Sequence, residues 1–162
     1  MTDETHNQAR QSWVASANGH AEFPLQNLPF GVFSPPGRTA PDAAPRGGVA
    51  IGDMILDLRA AVDAGLFSGE AATAAQAAAG TTLNPLMALG SGPRRALRQQ
   101  LFALLAADGA SRAKTEPLAE KLLHHAGDAG STCRPRSAIS PISSPAFTTR
   151  PMAAAAATPT IR

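Results

Sequence analysis

Residues 48–58, GVAIGDMILDL, decide the fold of this chain, because two apolar runs flank a Gly-Asp pair. The alternating run VAI precedes the pair, and the apolar run MIL follows it. Glycine accepts the positive φ that two-residue hairpin turns need, so we expect a β-hairpin that turns at Gly52 and Asp53. An isolated hairpin is marginal in water. It must therefore pair with further strands, which we place within residues 23–33 to give a small β-rich barrel or sheet.

After the hairpin the apolar period lengthens from two residues to three or four, which predicts a series of helices. LRAAVDAG predicts a short helix that Gly65 closes, and residues 70–79 predict an alanine-rich one. In TLNPLMALG, Asn84 suits the N-cap and Pro85 the first helical position. We expect these helices to be short, because glycines interrupt the pattern between them.

The strongest helix of the chain begins at Pro93, in PRRALRQQLFALLAA. Its leucines recur at helical spacing and form one apolar stripe, made of Leu97, Leu101, Leu104 and Leu105. A last helical piece, PLAEKLLHHAG, is expected to end near Gly127. These helices and the strands before them predict a domain of the α+β class.

Charge is distributed unevenly along the chain. All 12 acidic residues lie at or before Asp128, so residues 1–128 carry a net charge of −2 and residues 129–162 a net charge of +4. The overall charge of +2 therefore gives no reason to expect nucleic-acid binding. Because the last segment has no leucine or carboxylate and is rich in Pro, Ser and Ala, we expect a disordered tail over residues 129–162.

The sequence shows no signal for export or for membrane insertion. Its start, MTDETHNQARQ, is polar and of mixed charge, without the apolar centre of a signal peptide. No apolar run approaches the ~20 residues that span a bilayer. The single cysteine, Cys133, excludes an internal disulfide. We expect a cytoplasmic chain with no membrane partner and no nucleic-acid partner.

Two clusters of side chains are candidates for binding. Arg94, Arg95 and Arg98 could bind phosphate or nucleic acid, but no aromatic residues interleave with them, and a solvated helix face explains them better. His124 and His125 could ligate a metal, yet neighbouring helical residues point about 100° apart. No Cys or His partner lies at ligand spacing from them either. We therefore expect an ordinary helix end there.

Three further features have plain structural explanations. Cys133 would need a structured base and a positive pocket to act as a nucleophile. The GGVAIG run lacks the pattern of a phosphate-binding loop, since no helix follows it directly. Asp53 and Asp57 could pair as catalytic carboxylates, but a turn aspartate and a helix-start aspartate need no such role. The residues themselves therefore predict no catalytic, cofactor-binding or metal-binding site.

Three segments in a fixed order resemble one enzyme family. FPLQNLPFGVF, GVAIGDMILDL and TLNPLMALG resemble the N-terminal domain of fumarylacetoacetase, and SWVASAN before them and LHHAGD after them look like its bacterial members. The likeness runs from Ser12 to Asp128, apart from the loop around Asp42. It implies that residues 23–128 form an α+β domain in which a small SH3-like β-barrel precedes short helices. Residues 1–22 are then expected to be a flexible N-terminus.

The tail departs from the family's pattern. In the family, the catalytic domain opens with a run like LPAxIGDYTDFYxGIHHATNVG, where this chain has TCRPRSAISPISSPAFTTRPM. Codons for residues 131–151 can be chosen so that a shift of one nucleotide reads VDLPAAIGDFPDFFAGIHHATN. We therefore expect residues 129–162 to be translated in a shifted reading frame, because of a frameshift in the gene or an error in its sequence. The alternative is a genuine disordered linker or partner-binding tail.

The resemblance also implies a reaction, the hydrolysis of fumarylacetoacetate to fumarate and acetoacetate in tyrosine and phenylalanine catabolism. In the family, a carboxylate of the IGDYTDF segment binds a divalent metal, calcium or magnesium, and a histidine of the HHATN segment is the general base. The matching aspartate codon would straddle Pro141 and Ile142 here, and the histidine codon Thr148 and Thr149. Isoleucine cannot ligate a hard cation, and a threonine hydroxyl is no base near neutral pH.

We therefore expect an inactive N-terminal fragment of a fumarylacetoacetase-like enzyme, with no cofactor of its own. A catalytic domain or a second copy of the chain would be its partner, as in the full-length family. The alternative is a stand-alone, non-catalytic, β-rich interaction module whose disordered tail docks on a catalytic partner. The gene sequence beyond codon 128 discriminates between the two.

Overall fold

One antiparallel sheet organises the chain. The computed structural model describes residue 5 and residues 7–37 and 44–131. The strands run in the spatial order β4-β3-β2-β1-β5. They are β1 (Phe30–Ser34), β2 (Arg46–Ile51), β3 (Met54–Asp57), β4 (Leu123–His125) and β5 (Gly130–Ser131).

The predicted hairpin is confirmed and forms the centre of the sheet. β2 and β3 pair in register up to Ile51 and Met54, which leaves Gly52 and Asp53 as the turn. Gly52 has a φ of 55°, in the left-handed region that favours glycine. A Cβ on it would also lie 2.4 Å from Ser16 Oγ, so both backbone conformation and space require glycine. β1 pairs with β2, which confirms a strand partner around residues 23–33.

The α+β class is confirmed, whereas the closed barrel is not. In the described part of the chain, β4 and β5 form the two outer edges of an open sheet. β4 pairs with β3 through Leu56 and Leu123, and β5 pairs with β1 through Phe33. The SH3-like barrel therefore remains a prediction.

The helices follow the hairpin, as the sequence predicts. Gly65, with a φ of 65°, lies just beyond α1, and all four leucines of the predicted stripe are buried in α4. The described helices are α1 (Leu58–Asp63), α2 (Gly69–Ala78), α3 (Asn84–Ala88), α4 (Ser91–Leu105), α5 (Arg112–Thr115) and α6 (Ala119–Leu122). Short 3₁₀ turns lie at Ala15–Ala17 and Glu116–Leu118.

Two helix starts differ from the sequence-based expectation. Leu83 occupies the N-cap of α3, and its side chain makes no capping hydrogen bond. Asn84, predicted as the N-cap, is instead the first residue of the helix. α4 begins at Ser91, two residues before Pro93, with Gly90 as its N-cap. Proline is tolerated anywhere in the first turn, where backbone N–H groups have no intrahelical partner, so Pro93 does not fix the first residue.

The last predicted helical piece is wrong over its second half. α6 ends at Leu122, and His124 and His125 belong to β4 rather than to a helix end. The partner of this segment is the free edge of β3, whose backbone groups need hydrogen bonds. That requirement comes from a strand some seventy residues earlier in the chain, and local helix propensity cannot reveal it.

The N-terminal segment packs onto the end of α4. Ser12 forms an isolated bridge with Ala106, and its hydroxyl donates to Leu105 O at 2.7 Å. The Trp13 indole Nε1 donates to Leu104 O at 2.8 Å. Part of residues 1–22, predicted to be flexible, thus lies against the domain, and the core extends upstream of residue 23.

The core is one aliphatic cluster between the sheet, the helices and the N-terminal segment. It includes side chains from every layer, among them Val14, Leu25, Val49, Ile51, Leu58, Ala74, Leu86, Leu97, Leu101 and Leu122. The predicted disordered tail lies outside the described residues from position 132 onward. No helix among the described residues is both long and apolar enough to cross a membrane.

Candidate functional site

A fully buried carboxylate, Asp57, lies where β3 ends and α1 begins. Its Oδ1 accepts hydrogen bonds from the backbone N–H of Arg59 at 3.0 Å and of Ala60 at 3.2 Å. These bonds satisfy two of the four N–H groups that a helix start leaves without partners. The predicted helix-start role of Asp57 is therefore confirmed.

The second oxygen of Asp57 faces two basic side chains from neighbouring strands. Arg46 Nη2 of β2 lies 2.6 Å from Oδ2, and His124 Nε2 of β4 lies 3.4 Å from it. The side chains of Arg46 and His124 are only 10% and 11% exposed. Neither contact has the alignment of a hydrogen bond. We call Arg46, Asp57 and His124 the Asp57 cluster.

Burial explains why the Asp57 cluster contains a cation. An isolated carboxylate is strongly destabilised inside a protein, so it must be neutralised or paired. The Arg46 guanidinium supplies the positive charge, and the helix start supplies two donors. The His124 ring also packs on Phe33, with ring centroids 5.5 Å apart. The cluster thereby joins β2, β3, β4 and α1.

The geometry of the Asp57 cluster suits structural support better than catalysis. A carboxylate that orients a histidine is a familiar general-base arrangement. Here, however, Oδ1 caps α1 and Oδ2 contacts Arg46 more closely than it contacts His124. Asp57 is thus already bound by fixed groups of the fold, and a base must be free to take a proton from a substrate.

A cavity of about 700 Å³ opens beside the cluster. Arg46 reaches both the cavity and Asp57, so the buried ion pair forms part of its wall. The remaining lining comes from α1 and from the segment around α6: Arg59, Ala60, Asp63, Ala64, Leu118, Lys121 and Leu122. The cavity has both apolar and cationic walls.

The two aspartates named from the sequence do not form a catalytic pair. Asp53 lies in the exposed hairpin turn, with Oδ1 3.6 Å from His20 Nε2, whereas Asp57 is buried with Arg46. Neighbouring residues of a strand point to opposite faces, which is why His124 contacts Asp57 and His125 is exposed. The helical geometry on which the metal-pair hypothesis was weighed is wrong here, because both histidines lie in β4.

The three arginines of α4 do not form a single cluster of contacts. Arg98 donates to Gln26 O, and Arg94 Nε donates to Gly90 O at 2.6 Å. Arg95 is exposed. Two of the three thus hold backbone carbonyl groups of the domain itself. The remaining predicted positions, Cys133, Ile142, Thr148 and Thr149, lie outside the described residues.

Sequence reasoning missed the partner of Asp57. Arg46 stands before two glycines at the end of a loop-like run, and nothing local indicates that it is buried. One signal did indicate a buried cation. An aspartate inside the apolar run MILDL must be buried if that run is a central strand. A buried carboxylate in turn needs a cation beside it.

The calcium or magnesium implied by the resemblance does not fit these residues. In residues 7–37 and 44–131, no three His, Cys, Asp or Glu side chains come together in a group that could hold a metal ion. Such hard cations take six or more oxygen ligands, drawn from carboxylates, carbonyl groups and waters. Asp57, the buried carboxylate, is already paired with Arg46.

Comparison with known proteins gives a consistent match. The family model described as Fumarylacetoacetase N-terminal matches residues 26–132. Fumarylacetoacetase from Oryza sativa subsp. japonica is 42% identical over 113 residues, which is 70% of this chain and 26% of the relative. The Mus musculus protein of that name is 46% identical over 91 residues, 56% of this chain and 20% of the relative. The chain thus spans about a quarter or less of the length of these relatives.

Proposed function

Because the chain belongs to the fumarylacetoacetase N-terminal family, we propose that it is the N-terminal part of a fumarylacetoacetase-type hydrolase and has no hydrolase activity by itself. The extent of the family match supports this most directly. It covers residues 26–132, and therefore all five described strands and all six described helices. The match therefore covers the regular strands and helices of the domain rather than an isolated motif.

The activity proposed for the full-length enzyme is hydrolysis of a carbon–carbon bond of fumarylacetoacetate, giving fumarate and acetoacetate in tyrosine and phenylalanine catabolism. The described residues offer little for that chemistry. The buried carboxylate is held by Arg46 and by the start of α1, and the adjacent His124 faces that carboxylate. We propose that the catalytic groups belong to the part of the family's chain that follows this domain.

The role proposed for this domain is to pack beside a catalytic domain or a second copy of the chain in the cytoplasm. The SH3-like barrel is proposed for this domain on the resemblance and on its antiparallel sheet. Edge strand β5 holds the end of the matched region against β1. The following residues would then leave the domain from a fixed point.

The inactivity proposal is tested by assaying the purified chain with fumarylacetoacetate in the presence of calcium or magnesium. We expect no loss of substrate above the uncatalysed rate, while the Mus musculus enzyme serves as the positive control. Metal-dependent turnover by this chain would contradict the proposal.

The origin of residues 129–162 is tested separately by sequencing the gene beyond codon 128. We expect a second reading frame that encodes the remainder of a hydrolase. An intact stop codon with no such remnant would instead favour the stand-alone interaction module.

A further inference from the structure

The cavity beside the Asp57 cluster has the size and lining of a ligand site. Its volume of about 700 Å³ falls within the ~300–1,000 Å³ typical of small-molecule pockets. One wall is α1 and another is the segment around α6. A molecule in it would therefore touch two helices that are far apart in sequence.

Two cations of the lining have no counter-ion in the part of the chain that the structure describes. The side chains of Arg59 on α1 and Lys121 on α6 are exposed and take part in none of its ion pairs. The third cation, Arg46, is offset by Asp57 at 2.6 Å. Asp63 supplies the single acid of the lining, so one positive charge remains uncompensated.

The rest of the lining is aliphatic. Ala60 and Ala64 come from α1, and Leu118 and Leu122 from the other wall. These side chains cannot hydrogen-bond a polar ligand, but they favour contact with a short hydrocarbon chain. The charge and the lining together favour an anionic ligand that also has an apolar part.

We propose that this cavity binds a small aliphatic dicarboxylate, with one carboxylate at Arg59 and the other at Lys121. Arginine presents a planar fork that fits a carboxylate, and lysine presents a compact positive charge. Asp63 opposes binding, since it repels either carboxylate. The site uses residues of the described domain alone and is independent of the proposed hydrolase relationship.

Succinate is the probe for this site, added to the full-length ¹⁵N-labelled chain at low ionic strength and followed by amide NMR shifts. We expect saturable shifts confined to residues 59–64 and 118–122. Succinamide, which lacks the charges, is expected to cause no such shifts. Inorganic phosphate, which lacks the hydrocarbon chain, is expected to bind at least tenfold more weakly.

Three variants and one control sharpen the test. Arg59→Gln and Lys121→Gln are each expected to weaken succinate binding about tenfold, as for loss of one charge-assisted contact. Asp63→Asn is expected to tighten it several-fold. Arg95→Gln, which removes an exposed arginine of α4 away from the cavity, is expected to leave it unchanged. Amide spectra of the free variants show that each is folded.

The proposal is overturned by any of three results. The first is the absence of saturable shifts at the cavity residues with the unsubstituted chain. The second is equal binding of succinamide or phosphate, which would remove the role of the two charges or of the hydrocarbon. The third is an equal loss with Arg95→Gln, which would indicate a general effect of protein charge.

Discussion

At the scale of single residues, Asp57 links local structure to the whole sheet. Its position in sequence makes it both the last residue of β3 and the N-cap of α1. Its full burial then requires a cation, which Arg46 provides from the adjacent strand β2. One carboxylate thus fixes a helix start and a strand contact together.

Replacing Asp57 with alanine is expected to lower the free energy of unfolding by about 3–5 kcal/mol, because the buried Arg46 charge loses its partner and α1 loses its cap. Urea denaturation followed by fluorescence measures this change. Asp53→Asn, in the exposed turn, is the control and is expected to change stability by less than about 0.5 kcal/mol. Equal effects of the two substitutions would show that the Asp57 cluster contributes little.

A second residue-scale prediction concerns pH. The pKa of Glu116 lies below its ordinary value because its carboxylate accepts hydrogen bonds from the Arg112 guanidinium, at 3.0 and 3.2 Å, and is attracted by its charge. A lowered folded-state pKa means that the pair stabilises the fold above the unfolded pKa of Glu116. That stabilisation is lost as the pH falls through the folded-state pKa.

The pKa of Glu116 can be followed by NMR titration of its side-chain carbon. We expect the Arg112→Gln variant to raise this pKa toward the ordinary glutamate value. Both partners are exposed, so high salt is expected to have a similar but smaller effect. An unchanged pKa in the variant would mean that the ion pair does not persist in solution.

At the scale of elements, the parts that the sequence predicts well are those with local causes. The hairpin depends on Gly52 at the turn, and α4 depends on leucines spaced along one face. β4 has no such cause: LHH follows a helical run, and its conformation is set by the open edge of β3. The pair of Arg46 and Asp57 is likewise fixed only when β2 and β3 align.

Strand β2 also packs so closely on the end of α2 that Gly47 leaves no room for a side chain. A Cβ at Gly47 would lie 1.7 Å from Ala78 O, a backbone atom that cannot move without shifting the helix. Gly47→Ala is therefore expected to destabilise the protein by at least about 2 kcal/mol, within the range for overpacked sites.

The matched control for that substitution is Gly80→Ala. Gly80 lies next to the same helix end, and its nearest atoms would be 3.8 Å from an added Cβ. We expect Gly80→Ala to change the free energy of unfolding by less than about 0.5 kcal/mol in urea denaturation. If Gly47→Ala were equally harmless, the close packing of β2 on α2 would be contradicted.

At the scale of the whole molecule, the described residues form one domain. Its core includes residues that precede the family match, whereas its sheet lies within the matched residues. Ser12 and Trp13 bind the end of α4, and β5 at Gly130–Ser131 pairs with β1. Sequence similarity indicates the family, but the contribution of the N-terminal segment is visible only in its long-range contacts.

We expect residues 1–131 to be a self-sufficient folding unit. Urea unfolding of a chain cut after Ser131, measured beside the full-length chain, tests this most directly, with the single tryptophan, Trp13, as the fluorescent reporter. We predict one cooperative transition with the same midpoint in both chains. A shortened chain that shows no transition, or a clearly lower midpoint, would mean that residues 1–131 do not fold independently.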